Sequence, residues 1–142
     1  MKFLVTGATG LLGSHLVKVL LQRHPDAQIV AVCHKLRKQF PFPPEFHRLR
    51  LVATDLTSFD PFFTSVLEDL SPDVVFHLAG LAKVKEDPLD PTAVTRVNVL
   101  ATHRLLANCP PGCRCLLASS AEVYGKGAPD RSHREDDPTE PI

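Results

Sequence analysis

Three glycines near the start of the chain, Gly7, Gly10 and Gly13, are spaced so that backbone could hold an anion. Gly7 permits a tight turn, Gly10 has no Cβ to keep a pyrophosphate off the backbone, and Gly13 lets a helix lie close to a sheet. An apolar run (Phe3, Leu4, Val5) precedes them, and an apolar-periodic one (Leu12, Leu16, Val17, Val19, Leu20) follows. The reading is strand, glycine turn, helix. The N–H groups of Thr9, Gly10, Leu11 and Leu12 then face the anion from the helix N-terminus, where the dipole favours negative charge. A plain glycine turn without a ligand is the bland alternative.

A second group of chemically useful residues follows the β-branched run Gln28 to Cys33, which reads as a strand. At this point in a dinucleotide site, an acid holds the ribose 2′-hydroxyl of NAD, whereas a cation accommodates the 2′-phosphate of NADP. The chain has no acid here; it offers His34, Lys35, Arg37 and Lys38. A carboxylate would repel a 2′-phosphate and a cation would pair with it, so the expectation is NADP, with NAD as the alternative. A solvated charged loop would look the same.

Other candidates are single residues. Asp55, followed by Leu56, suits a turn or a helix N-cap. Ala79 and Gly80, just after Leu78, are small enough for backbone to pass close to a cofactor. His77 reads as a buried strand residue, not a ligand. Asn98 interrupts an apolar segment, and either faces solvent or anchors a buried group. Cys109, Cys113 and Cys115 lie close in sequence, but no fourth ligand stands at a zinc-like spacing. They read as reduced, partly buried thiols with no metal.

The elements that must position these residues alternate in type. Strands are expected at Phe3–Val5, Gln28–Cys33, His47–Ala53, Val74–Leu78 and Cys113–Ser119. Helices are expected after Gly10, over Pro61–Leu70 and over Thr92–Asn108, while the proline-dense Phe40–Pro44 is an extended loop. Right-handed crossovers then build an α/β, Rossmann-like, doubly wound parallel sheet of order 3-2-1-4-5. With 142 residues the chain is the size of one domain. The expected division is a dinucleotide-binding part over 1–125 and an exposed loop over 126–142, where Pro, Asp, Glu, Arg and Gly dominate. Lys and Arg total 16 against 16 Asp and Glu, so no global field draws in nucleic acid or an anionic membrane. No apolar run spans a bilayer and no signal-peptide pattern opens the chain, so a cytoplasmic location is expected.

Several pieces occur in a fixed order: VTGATGLLGSHL, then Asp55-Leu56, VVFHLAG, RVNVLAT and LLASSAEVYG. Together they resemble the extended short-chain dehydrogenase/reductase family, which includes nucleotide-sugar epimerases, dehydratases and reductases. The resemblance implies that Asp55 accepts from the adenine amine and Leu56 packs on the ring. It implies cofactor contacts from the glycine turn, from Leu78, Ala79 and Gly80, from Asn98 and from Ser119. It makes Ser120 a catalytic hydroxyl and Glu122 a base beside a sugar ring. Tyr124 resembles the family's structural tyrosine. The implied substrate is a nucleotide sugar or another small molecule, and a homodimer is an option for the complete protein.

The chain also departs from the family pattern. The family's catalytic Tyr-x-x-x-Lys pair has no match here, Ala101 stands where Gly is commoner, and Ala121 stands where some dehydratases carry an acid. The expectation is an N-terminal part, inactive alone, with an exposed fifth strand and marginal stability or association. Two alternatives stand beside it: a non-catalytic NADP-binding or partner-binding module, and part of a steroid or flavonoid ketone reductase.

Overall fold

The computed structural model describes residues 1–35, 47–58, 61–82, 90–126 and 131–141. Its strands are β1 (Lys2–Thr6), β2 (Gln28–Cys33), β3 (Leu49–Ala53), β4 (Val74–His77) and β5 (Arg114–Leu117). They form a parallel sheet of order β3-β2-β1-β4-β5. This is the doubly wound, Rossmann-like order expected from the sequence, and it places β1 at the centre. Helix α1 (Leu11–Arg23) joins β1 to β2, and α2 (Pro61–Leu70) joins β3 to β4. The extended loop expected over Phe40–Pro44 lies outside the described residues.

Alternation along β1 divides the core. Phe3 and Val5 point to one face and Leu4 to the other, because successive strand residues face opposite ways. Phe3 and Val5 pack with Ile29 and with Val17, Leu20 and Leu21 of α1. On the opposite face Leu4 packs with Val30, Val75, Val66 and Leu67 of α2, and with Leu105. The buried residues of α1 are Gly13, Val17, Leu20 and Leu21, a single stripe at helical spacing. A strand buried on both faces needs apolar residues throughout, which is why Ile29 to Cys33 are all buried.

The expected single helix over Thr92–Asn108 is instead three consecutive pieces. These are α3 (Pro91–Val94), a π-helical stretch (Thr95–Leu100) and α4 (Ala101–Ala107). The apolar period marks the helical face but does not register the wider turn, which re-aims Val97 and Asn98 towards the loop after β4. Pro91 enters at the first turn, and Asp90 caps it by accepting from the Thr92 N–H at 2.9 Å. β5 is shorter than expected, and all four of its residues are exposed, with Leu116 at 51% and Leu117 at 44%. A short 3-10 turn (Ala121–Tyr124), not anticipated from the sequence, follows it. Residues 131–141 contain no helix or strand. Their carboxylate Asp137 pairs with Arg131 at 3.1 Å and with His133 at 3.5 Å. His133 in turn stacks on Tyr124.

Candidate functional site

The sheet order reverses direction on either side of β1, and a cleft opens there beyond the carboxyl ends of the strands. Its volume is about 490 Å³. Gly7, Thr9 and Gly10 form one wall, from the turn between β1 and α1. Val32, Cys33 and His34 contribute the end of β2, and Thr54 to Thr57 the segment after β3. Leu78 to Leu81, after β4, and Val97, from the π-helical stretch, complete it.

The glycine turn is closed by a hydrogen bond from the Gly10 N–H to the Gly7 carbonyl, 2.9 Å. The Gly10 N–H is therefore spent inside the turn and does not face an anion. The first intrahelical bond of α1 runs from Ser14 N–H to Gly10 O, and no side chain caps the helix start. The N–H groups of Leu11, Leu12 and Gly13 precede that bond and have no helical acceptor. Leu11 and Leu12 are exposed on the helix start, and neither side chain lines the cleft. Gly7 has φ +66°, and a Cβ there would lie 2.7 Å from the Leu78 carbonyl carbon. The turn thus presses directly on the loop after β4.

A buried relay holds these two loops together. Thr102 Oγ1 donates to the Asn98 carbonyl at 2.8 Å, so it accepts from His77 Nε2–H, also at 2.8 Å. The Ala79 N–H donates to Thr6 Oγ1 at 3.2 Å, so the Thr6 hydroxyl proton goes to His77 Nδ1 at 2.6 Å. These partners assign the neutral Nε2–H tautomer. Burial lowers the pKa of His77, in the direction that the bonding pattern requires. His77 is thus a buried strand residue, and it ties β1 and β4 to α4.

Asn98 anchors backbone. Its Oδ1 accepts from the Leu81 N–H at 2.8 Å and its Nδ2 donates to the Leu81 carbonyl at 2.9 Å. A Cβ on Gly80 would meet that Oδ1 at 3.3 Å, so the small residue lets the clamp close. Asn98→Ala is expected to weaken ligand binding in the cleft several-fold and to cost about 1–2 kcal/mol of stability. Ligand titration beside a thermal melt checks this; unchanged affinity would mean that the clamp does not shape the cleft.

Asp55 is a turn residue that also lines the cleft. Its Oδ1 accepts from both the Thr57 N–H and the Thr57 hydroxyl, each at 2.8 Å. Those two bonds hold its carboxyl below the usual range. Burial pushes the Cys33 thiol up, so it stays neutral at the end of β2. Thr54 Oγ1 is buried and has no hydrogen-bond partner among the described residues. A buried orphan hydroxyl is costly, and this one belongs to a residue of the cleft wall.

Of the residues singled out from sequence, the structure brings Gly7, Thr9, Gly10, His34, Asp55, Leu56, Leu78, Ala79 and Gly80 to one cleft. Gly13 is buried against the glycine turn instead. Lys35 is exposed beside His34, while Arg37 and Lys38 lie outside the described residues. Ser119, Ser120 and Glu122 are exposed after β5 and do not line the cleft. The Ser120 hydroxyl oxygen caps the 3-10 turn by accepting from the Glu122 N–H at 3.2 Å. Thr54, Thr57, Leu81 and Val97 also line the cleft, and sequence reasoning misses them. Adjacency to Asp55, Gly80 and Asn98 is the only signal they carry.

The family model for the NAD dependent epimerase/dehydratase family matches residues 3–142. The chain is 34% identical over 132 residues to UDP-glucuronic acid decarboxylase 6 of Arabidopsis thaliana, covering 88% of this chain and 35% of that protein. Among solved structures it is similar to MoeE5 in complex with UDP-glucose and NAD, at 35% identity and TM-score 0.74, over 99% of this chain and 43% of that one. It is also similar to UDP-glucuronic acid 4-epimerase from Bacillus cereus in complex with NAD, at 27% identity and TM-score 0.76. That match covers 100% of this chain and 46% of the epimerase. The chain therefore spans less than half the length of each of these three proteins.

Proposed function

This chain belongs to the NAD-dependent epimerase/dehydratase family, and from that premise we propose that its cleft holds a nicotinamide dinucleotide, NADP in preference to NAD, for chemistry on a nucleotide sugar. The observation that carries the reading is one continuous cleft. It joins the uncapped N-terminus of α1 to the end of β2, with the orphan Thr54 hydroxyl in its wall. A dinucleotide needs both ends: backbone N–H groups for the pyrophosphate and a polar rim for the adenine ribose.

In this reading the N–H groups of Leu11 and Leu12 take the pyrophosphate, with Thr9 and Gly10 beside it. Asp55 and Leu56 meet the adenine, while Leu78, Ala79 and Gly80 let the cofactor lie close along the end of β4. When bound, the nicotinamide supplies hydride transfer. Beyond β5, this reading assigns Ser120 to hydrogen-bond a substrate oxygen, Glu122 to take a proton from a sugar ring and Ser119 to contact the cofactor. An epimerase, dehydratase or reductase of nucleotide sugars uses such groups, and relatives named for UDP-sugars support that substrate class. No helix among the described residues is long and apolar enough to cross a membrane. A cytoplasmic location goes with this reading. A homodimer of the complete protein also belongs to it.

The preference for NADP rests on His34 and Lys35, the two residues that directly follow β2, neither of which is an acid. Lys35 is exposed, so Lys35→Asp leaves the core intact. It is expected to shift the NADPH-to-NADH affinity ratio towards NADH by about tenfold, the loss of one charge-assisted contact plus a new repulsion. Parallel titrations of the two cofactors measure that ratio. An unmoved ratio would remove the 2′-phosphate assignment while leaving the dinucleotide site.

A further inference from the structure

At the opposite end of the sheet from the cleft, three thiols converge. Cys109 follows α4, Cys113 immediately precedes β5 and Cys115 lies within it. Residues two apart in extended chain share a face, so Cys113 and Cys115 project to the same side. Cys115 is in register with Val75, and Val75 packs in one cluster with Leu105 of α4, so α4 covers that side. The connecting Pro110-Pro111-Gly112 turn is stiff. The Cys113 N–H donates to the Pro110 carbonyl at 3.1 Å, and Gly112 has φ +82°. Proline followed by a left-handed glycine is a type II arrangement.

The three sulfurs lie within 4.8 Å of one another, and those of Cys115 and Cys109 are 3.7 Å apart. All three are free thiols. We propose that Cys109, Cys113 and Cys115 form a trithiolate site for a thiophilic divalent cation of the zinc class, with the fourth position open to solvent. With zinc–sulfur bonds of about 2.3 Å, a tetrahedral edge is roughly 3.8 Å. The Cys109–Cys115 pair already has that separation, and the remaining edges close by at most about 1 Å. Cys115 is exposed, which gives an ion a path in. Cys109 and Cys113 lean on apolar core, and an all-sulfur set selects soft cations over magnesium or calcium. The thiolate is the ligand form, so the cation binds by displacing the thiol protons. The fourth protein ligand, which the sequence spacing does not supply, is not required for three thiolates and a solvent molecule. The site staples the end of α4 to the start of β5.

The test uses the full chain, held reduced with a phosphine and titrated with cadmium as a spectroscopic substitute for zinc. The expected result is a thiolate-to-cadmium charge-transfer band that saturates at one ion per chain. Cys109→Ser and Cys115→Ser are expected to weaken binding at least tenfold, while Cys33→Ala retains the band. If a variant fails to fold, alkylation of the unmutated chain decides. Zinc should protect Cys109, Cys113 and Cys115 together, as mapped by peptide mass. No saturable band, a band that persists in folded Cys109→Ser, or unprotected thiols would overturn the site. None of these readouts depends on the cofactor cleft.

Discussion

Gly13→Ala is expected to cost about 3 kcal/mol or more, whereas Gly10→Ala, three residues earlier, leaves the fold nearly unchanged and weakens cofactor binding. The contrast follows from what each new methyl group would meet. At Gly13 it would overlap the Gly7 carbonyl oxygen and lie 2.8 Å from Ala8 Cα and 2.9 Å from the Gly7 carbonyl carbon. All of those atoms are backbone, in a turn fixed by the Gly10-to-Gly7 hydrogen bond, so the only relief is to push α1 off the sheet. That displaces Val17, Leu20 and Leu21 from the core. At Gly10, which lines the cleft, the methyl would meet only the Gly7 oxygen, at 3.2 Å. For a domain of this size the Gly13→Ala loss corresponds to a melting temperature lower by roughly 10 °C. A melt within about 2 °C of the parent would contradict the packing role given to Gly13. Gly10→Ala with undiminished cofactor affinity would contradict the role given to its bare Cα.

Replacing His77 with Leu is expected to cost about 2 kcal/mol and to flatten the pH dependence of stability near neutrality. The side chain is buried between Thr6 and Thr102. Without it the Thr6 hydroxyl loses its acceptor and the Thr102 oxygen its donor, while the Ala79 N–H is still held by Thr6. The pH effect has a definite sign. Burial lowers the folded-state pKa of His77 below its unfolded value of about 6.5, so the unfolded chain takes up the proton first. The contribution is fully present above about pH 6.5 and is lost as pH falls through the folded-state value. Protonation also puts a second donor at Nδ1, where Thr6 now donates. The carboxylates Asp55 and Asp137, both lowered by hydrogen bonds, act in a separate window. Their contribution is present above an unfolded value of about 3.9 and is lost as pH falls through the still lower folded values. Melts from pH 7.5 to 5 should therefore fall for the parent and stay comparatively level for His77→Leu. Parallel curves would mean that the relay does not hold His77 neutral.

The sheet is legible in the sequence because each strand is a short, nearly continuous apolar run and each connection carries a turn or helix signal. Gly7, Gly10 and Gly13 place the first crossover, and Val74 to His77 the fourth strand. The π-helical stretch is not legible, since Val94, Val97 and Ala101 keep an apolar period whether the turn is regular or wide. Only the burial of Ala101 and Leu105 marks where the regular helix resumes against the core. Asn98 is recognisable as an oddity, but its choice of the Leu81 backbone needs the loop after β4 in place. Thr54 carries no sequence signal beyond its place before Asp55. A threonine after a strand is ordinary, and only burial without a partner distinguishes it. The cysteine cluster is hidden in the same way. Its spacing is not that of a zinc motif, and only the turn at Pro110 to Gly112 and the cover of α4 bring the sulfurs together.

Whether the cleft beyond β1 is a dinucleotide site is decided by calorimetric titration of this chain with NADPH and with NADH. Saturable binding is expected at one site per chain, tighter for NADPH and weakened by Gly10→Ala. A chain that melts cooperatively yet binds neither cofactor would show that the cleft is not such a site.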